Sequence, residues 1–285
     1  MNIDDLLATG ALQLARAGIE DADLDARLLF QHLTAMTRSQ LVLHCKQSVD
    51  DRTIKQYRQL VLQRSQRIPL QYLTGSQEFW SLDFLVSPAV LIPRPETEFL
   101  LERVLAACPP GCGISYALDL CTGSGVIAVV LAKELGCPVI AVDLSEAALA
   151  VAAINLSRHQ VTHQVALVCG DLFAALNHVQ KFDLIVSNPP YIADEQIGQL
   201  EPEVRVAEPY LALSGGPTGL GMIERIAARA AGYLHPGGWI FLEIGADQKN
   251  AVEALFKAQQ YDEVRVINDW AGRPRVLQAR YRRGH

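Results

Sequence analysis

The sequence predicts an α/β protein, a doubly wound and mostly parallel sheet preceded by a small helical domain. Three observations carry this. Apolar residues recur at helical spacing through residue 75. From Tyr116 onward, short apolar runs alternate with helical stretches. The chain then closes on two consecutive strands instead of a strand and a helix. At 285 residues the chain is long enough for about two domains.

Ile3, Leu6, Leu7, Leu12 and Leu14 mark a first helix, and Leu24, Leu28, Leu29 and Leu33 a second, after the acidic start Glu20 to Asp25. Asp51 to Arg67 carries Ile54, Tyr57, Leu60 and Val61 on one side, and Pro69 and Gly75 close a helical domain over residues 1–75. Glu78 to Ile92 is aromatic and β-branched but broken by Asp83 and Ser87-Pro88, which reads as a short hairpin. Pro93-Arg94-Pro95-Glu96-Thr97-Glu98 is a linker running into a helix, so residues 76–98 form a hairpin and linker ahead of a domain over 99–285. In that domain Ala117 to Cys121, Val139 to Val142, Val165 to Val168, Leu184 to Val186 and Trp239 to Ile244 read as strands. Helices are expected after Gly125 to Leu135, from Ser145, over Gly219 to Leu234 and over Ala251 to Gln259. Val264 to Ile267 and Val276 to Tyr281 follow as a hairpin, which places one antiparallel strand in a seven-stranded sheet.

Charge and composition narrow the class. The net charge is −6, made of +1 in residues 1–76 and −7 in the remainder, so no uniformly basic surface is available to wrap a nucleic acid and no stable nucleic-acid binding is expected. Arg52, Lys55, Arg58, Arg64 and Arg67 form a local basic run, read as a solvated helix face or a docking face for a partner, and Arg280, Arg282 and Arg283 as a solubilising tail. No basic stretch precedes the first apolar residues, and the longest purely apolar run, Ala147 to Ile154, is far short of a membrane span; a cytoplasmic protein without membrane contact is expected. The six cysteines include no C-x-x-C pair, so reduced thiols and no metal site are expected.

The chemistry-bearing signals sit at strand ends. Asp119-Leu120-Cys121-Thr122-Gly123-Ser124-Gly125 lies between a strand and its helix, where glycines permit a tight turn and close ligand approach. Asp143 ends the next strand, placed to accept hydrogen bonds from both hydroxyls of a ribose. The pair indicates a nucleoside cofactor. Gly123 to Ala128 also fits G-x-G-x-x-A, so a dinucleotide enzyme competes. Asp119 favours S-adenosylmethionine, because an acid attracts the ammonium or sulfonium and repels a pyrophosphate. Asp171 closes the third strand as a candidate acceptor for an adenine amino group, with Leu172 or Phe173 against the ring.

The fourth strand ends in Asn188-Pro189-Pro190-Tyr191. Neither proline has an N–H, and Asn188 adds a side-chain acceptor. Asn188 and the Pro189 carbonyl can take the two hydrogens of a planar NH2, with Tyr191 packed on the flat group. That would hold a nitrogen in line with an electrophilic methyl.

These residues, with Leu91-Ile92-Pro93-Arg94-Pro95-Glu96-Thr97-Glu98, resemble the HemK/PrmC family, the release factor glutamine methyltransferases, over essentially the whole chain. The resemblance implies a Rossmann-like seven-stranded methyltransferase sheet with an N-terminal substrate-recognition domain. It implies methyl transfer from S-adenosylmethionine, leaving S-adenosylhomocysteine, to N5 of the glutamine in the Gly-Gly-Gln motif of peptide-chain release factors. It places cofactor contacts on Asp119, Cys121, Thr122, Gly123, Ser124, Gly125, Asp143, Asp171, Leu172 and Asn188. Substrate contacts fall on Asn188, Pro189, Pro190, Tyr191, Arg94 and Glu96, with Asn188, Pro189 and Tyr191 catalytic. The chain departs from the family at Cys121, where glycine is usual, and at Leu172, where relatives can carry an aromatic. Thr97, Glu98 and Glu243 receive no role. The competing readings are methylation of a ribosomal-protein glutamine or of an exocyclic amine of a nucleic-acid base, an NAD-type or porphyrinogen redox enzyme, and a module that binds the cofactor without turnover.

Overall fold

The computed structural model describes residues 1–282. They form two compact units, Met1–Ser76 with Glu201–Ala207, and the rest of the chain from Gln77. The expected domain 99–285 is therefore interrupted, since Glu201–Ala207 groups with the helical unit.

In the first unit, α1 (Ile3–Arg16) starts where the Asn2 side chain accepts from the Asp5 N–H at 2.8 Å. It is followed by α2 (Ala22–Thr34), α3 (Arg38–Leu43), α4 (Asp51–Ser65) and α5 (Leu70–Thr74). Asp50 caps α4, and Thr37 with Gln40 forms a capping box on α3, satisfying N–H groups that a helix start leaves orphaned. Leu6, Leu14, Leu29, Phe30, Tyr57 and Val61 form the core, with the Phe30 and Tyr57 rings edge to face at 5.5 Å. Two residues read as part of the apolar stripes, Leu12 and Leu24, are each 54% exposed. The buried face of α2 instead carries Ala22, Asp25, Ala26, Leu29 and Phe30. Asp25 is tolerated there because Arg64 Nε donates to its Oδ2 at 2.7 Å. Arg64 Nη1 and Arg67 Nη2 pair with Glu203 at 3.0 and 2.8 Å. The basic run is thus divided: Arg52, Lys55 and Arg58 are exposed, while Arg64 and Arg67 are committed within the unit.

The second unit opens with β1 (Ser76–Phe79) and β2 (Leu82–Leu85), joined at Trp80 and Ser81, both at positive φ, as a two-residue hairpin turn of this hand requires. Glu98 holds this turn, accepting from the Trp80 N–H at 2.6 Å. Next come α6 (Pro95–Ala107), β3 (Ala117–Leu120), α7 (Val126–Leu135), β4 (Val139–Asp143), α8 (Glu146–Arg158), β5 (Val165–Cys169), β6 (Phe182–Ser187) and α9 (Asp194–Ile197). The excursion α10 (Pro202–Ala207) belongs to the first unit. The chain finishes with α11 (Tyr210–Leu213), α12 (Gly221–Ala230), β7 (Leu234–Glu243), α13 (Lys249–Lys257), β8 (Tyr261–Asn268) and β9 (Pro274–Tyr281).

Among the described residues the sheet has seven strands in the order β5-β4-β3-β6-β7-β9-β8, with β9 antiparallel to both neighbours. This is the expected architecture with its single antiparallel strand. Strands β3 and β6 are mostly apolar because both faces are covered, by two separate core clusters, with Asp119 and Asp183 as the charged exceptions. The chain winds from β3 outward to β4 and β5, then returns to β6 and continues to β7. The strand order reverses between β3 and β6, where Leu120 pairs with Ser187, and the carboxyl ends of these strands open a crevice. Arg280 is not part of a tail: it lies in β9, donates to the Gly237 carbonyl at 2.9 Å and sits 4.9 Å over the Trp239 ring. Arg282 pairs with Asp262, and Arg283 lies outside the described residues. Among the described residues no helix is long and apolar enough to cross a membrane.

Candidate active site

The crevice between β3 and β6 is a cleft of about 1060 Å³ including its open mouth. Its wall brings together Cys121, Thr122, Gly123, Ser124, Asp143, Asp171, Leu172, Asn188 and Pro190. These residues come from segments nearly seventy positions apart, gathered because each follows the carboxyl end of a parallel strand.

The turn after β3 has three residues in left-handed backbone, Cys121 at φ +60°, Gly123 at +54° and Gly125 at +84°. A Cβ on Gly123 would meet nothing within 4 Å, so the backbone there is open to a ligand, whereas Gly125 lies against Ala152. Cys121 accepts a conformation that glycine adopts without strain, which accounts for the glycine usual at its place. All six cysteines are free, and burial pushes the Cys121 thiol well up, so it stays protonated beside the cleft.

Asp119 lies beneath the turn instead of on the cleft wall, fully buried. Its Oδ2 accepts from Thr122 Oγ1 at 2.6 Å and from the Ala128 N–H at 3.1 Å, tying the turn to the start of α7. Oδ1 has no partner, and burial pushes the carboxyl up to about 8. The acid expected as a counter-charge is thus a turn organiser, and its burial disfavours the charge that such a role would need.

Asp143 ends β4 with both oxygens engaged: Oδ2 accepts from the Gly123 N–H at 2.8 Å and Oδ1 from the Ser145 N–H at 2.9 Å. Each oxygen keeps a second acceptor site. Burial raises its pKa, and the backbone donors oppose that rise. Because Gly123 donates to Asp143, it is not aimed at a pyrophosphate, which counts against the dinucleotide reading. The buried Asn155 on α8 completes the turn, donating to the Ser124 carbonyl at 2.8 Å and bonding both Leu85 backbone groups. Asn155 escapes sequence reading because an amide amid alanines and leucines on a helix carries no motif.

After β5, Asp171 Oδ2 accepts from Arg225 Nη2 at 2.6 Å, and Leu172 is buried at φ +51°. The exposed Leu144, after Asp143, also lines the cleft, so apolar side chains follow both acids.

At the β6 end, Asn188 and Pro190 line the cleft, while Pro189 and Tyr191 are not on its wall. Asn188 Nδ2 donates to Thr97 Oγ1 at 3.0 Å; Thr97 donates to Glu243 Oε2 at 2.7 Å; the Tyr191 hydroxyl donates to Glu243 Oε1 at 3.1 Å. The Tyr191 ring is therefore anchored inward instead of lying free over a substrate. Arg94 pairs with the buried Glu208 at 2.7 Å, and Glu96 is not on the cleft wall. Of the Pro93–Glu98 signature it is Thr97 that reaches the Asn188 side chain.

The sequence matches the PrmC N-terminal domain family over residues 5–75 and the Methyltransferase small domain family over residues 95–216. It is 41% identical over 281 residues to the release factor glutamine methyltransferase of Cereibacter sphaeroides, covering 98% of this chain and 99% of that one. The protein of the same name from Caulobacter vibrioides is 40% identical over 266 residues, 93% and 91% of the two chains.

The chain belongs to the release factor glutamine methyltransferase family.

It is an S-adenosylmethionine-dependent methyltransferase, which decides against the redox and binding-module readings. A crystal structure of a methyltransferase from Pyrococcus furiosus shares the fold, with a TM-score of 0.55 at 22% identity over 72% of this chain and 91% of that one. The residues present suit the family's cofactor on three counts: the open backbone at Gly123, the two-oxygen acceptor at Asp143, and a mostly apolar cleft wall with few polar groups.

Proposed function

We propose that this enzyme methylates the side-chain amide nitrogen of the glutamine in the Gly-Gly-Gln motif of peptide-chain release factors. The observation that carries the reading is the placement of Asn188, whose amide faces the cleft shared with the cofactor turn while its nitrogen is bound by Thr97. Bound S-adenosylmethionine supplies an electrophilic methyl on a cationic sulfur. In this reading Asp143 holds the ribose hydroxyls, the turn Cys121 to Gly125 holds the methionine end above Asp119, and Leu144 and Leu172 flank the adenine near Asp171. Asn188 Oδ1 and the Pro189 carbonyl accept the two hydrogens of the substrate NH2 and fix the nitrogen's approach. No side chain of this set is needed as a base before transfer, because an amide nitrogen can release its proton afterwards. Pro190 closes the wall beside the held group, and Arg94 and Glu96 act at the rim. The acidic catalytic unit suits a protein substrate in the cytoplasm better than a phosphate backbone.

The test is incubation with methyl-labelled S-adenosylmethionine and a cell extract. Label in a release factor, lost when its glutamine is replaced by alanine, supports the reading. Label in nucleic acid or in a ribosomal protein overturns it.

A further inference from the structure

The four polar residues behind Asn188 form a buried relay with one consistent direction. Glu243, at the end of β7 and 1% exposed, has no donor of its own when ionised, and its two oxygens take the protons of Thr97 and Tyr191. A hydroxyl has one proton. Once Thr97 has donated to Glu243, it faces Asn188 with lone pairs alone, and only an N–H can answer it. The Asn188 nitrogen does so at 3.0 Å. On the other arm, Tyr191 has donated its proton and accepts from Arg275 Nη1 at 3.4 Å. Burial pushes the Glu243 carboxyl up; the hydrogen bond from Thr97 and the positive charge of Arg275, which also binds the Ile244 carbonyl at 3.2 Å, oppose that rise and support the ionised form. An inverted Asn188 amide would set Oδ1 against the Thr97 lone pairs.

We propose that Thr97 and Glu243 are positioning residues that fix which end of the Asn188 amide faces the cleft, and thereby present the acceptor that holds a substrate NH2. The use of that acceptor rests on the glutamine-methylation reading; the orientation of the amide does not. A buried network of this kind specifies one arrangement because each member's donor is already assigned.

The test uses Thr97→Val, which keeps the shape and removes the hydroxyl, and Thr97→Ser, which restores it. With a purified release factor, Thr97→Val lowers kcat roughly 10- to 100-fold. Its affinity for S-adenosylmethionine, measured by calorimetry, stays within about twofold, and Thr97→Ser returns kcat to within about threefold of wild type. In an Asn188→Ala background, Thr97→Val adds no further loss, because nothing remains to be oriented. The side-chain amide resonances of ¹⁵N-labelled Asn188 shift in Thr97→Val and return in Thr97→Ser without any substrate present. Unmoved resonances, wild-type kcat in Thr97→Val, or failure of serine to rescue would overturn the proposal. If Thr97→Val does not fold, Glu243→Gln serves, since its NH2 can donate to Thr97 and release the Thr97 proton toward Asn188. A wild-type enzyme that methylates no release factor would overturn the substrate reading alone, and the resonances would still decide the orientation.

Discussion

Replacing Asp143 by asparagine probes the cofactor cleft with the least change of shape. The carboxylate accepts from the Gly123 N–H at 2.8 Å and from the Ser145 N–H at 2.9 Å with different oxygens. Asparagine offers one oxygen and one NH2, so one backbone donor then faces another donor. The variant also keeps one oxygen instead of two for the vicinal ribose hydroxyls. A hydrogen bond to a charged acceptor contributes about 1.5–3 kcal/mol. Losing one such bond to the ligand corresponds to a dissociation constant roughly 10- to 150-fold weaker. Calorimetric titration with S-adenosylmethionine at neutral pH measures this, with circular dichroism to confirm folding. An unchanged dissociation constant in a folded variant would refute the assignment of Asp143. The wild type adds a pH signature. Burial raises the Asp143 pKa, so on acidification the carboxylate takes its proton earlier than an ordinary aspartate does, and cofactor affinity falls as pH drops. The asparagine variant lacks that dependence.

Three further outcomes are expected. Asn188→Ala lowers kcat about 10²–10³-fold, the scale of removing one preorganised polar group, while cofactor affinity survives; an equal loss of affinity in calorimetry would count against its role. Gly10→Ala drives a Cβ into the buried Tyr57 hydroxyl and destabilises the helical unit by about 1–3 kcal/mol in urea, and Tyr57→Phe added to it recovers part of the loss. Asp119 holds its proton up to about 8 in the folded state and to an ordinary carboxylate pH in the unfolded chain, so wild-type stability falls as pH rises between those values, by up to about 1.4 kcal/mol per pH unit. The Asp119→Asn variant does not ionise there, so its stability gains on wild type from pH 5 to 8; parallel urea curves would contradict the burial argument.

Much of the fold was legible because buried parallel strands are mostly apolar, as Ala117–Leu120, interrupted only by Asp119, and Phe182–Ser187, interrupted by Asp183, show. The apolar pattern of strand β7 starts only at Trp239, yet the strand begins at Leu234. His235-Pro236-Gly237-Gly238 interrupts its apolar pattern, and the pairing with β6 shifts register there. The helices Asp194–Ile197, Pro202–Ala207 and Tyr210–Leu213 are too short to display a period. Leu12 and Leu24 mislead because leucine favours helices whether or not its face is covered. At the site, Asp143 and Asn188 could be found by position, since each follows a strand at the ligand-binding edge. The partners of Asn188 could not. Thr97, Glu243 and Arg275 lie in three distant segments, and only the folded sheet shows which hydroxyl donates to which carboxylate.

The proposed reaction is methyl transfer to one amide nitrogen, held by Asn188. Its most direct test is fragmentation mass spectrometry of a purified release factor after reaction with the wild-type enzyme and, in parallel, with Asn188→Ala. A single added methyl on the side-chain amide of the Gly-Gly-Gln glutamine is expected with the wild type, and almost none with the variant. A methyl on any other residue, or equal methylation by both enzymes, would contradict it.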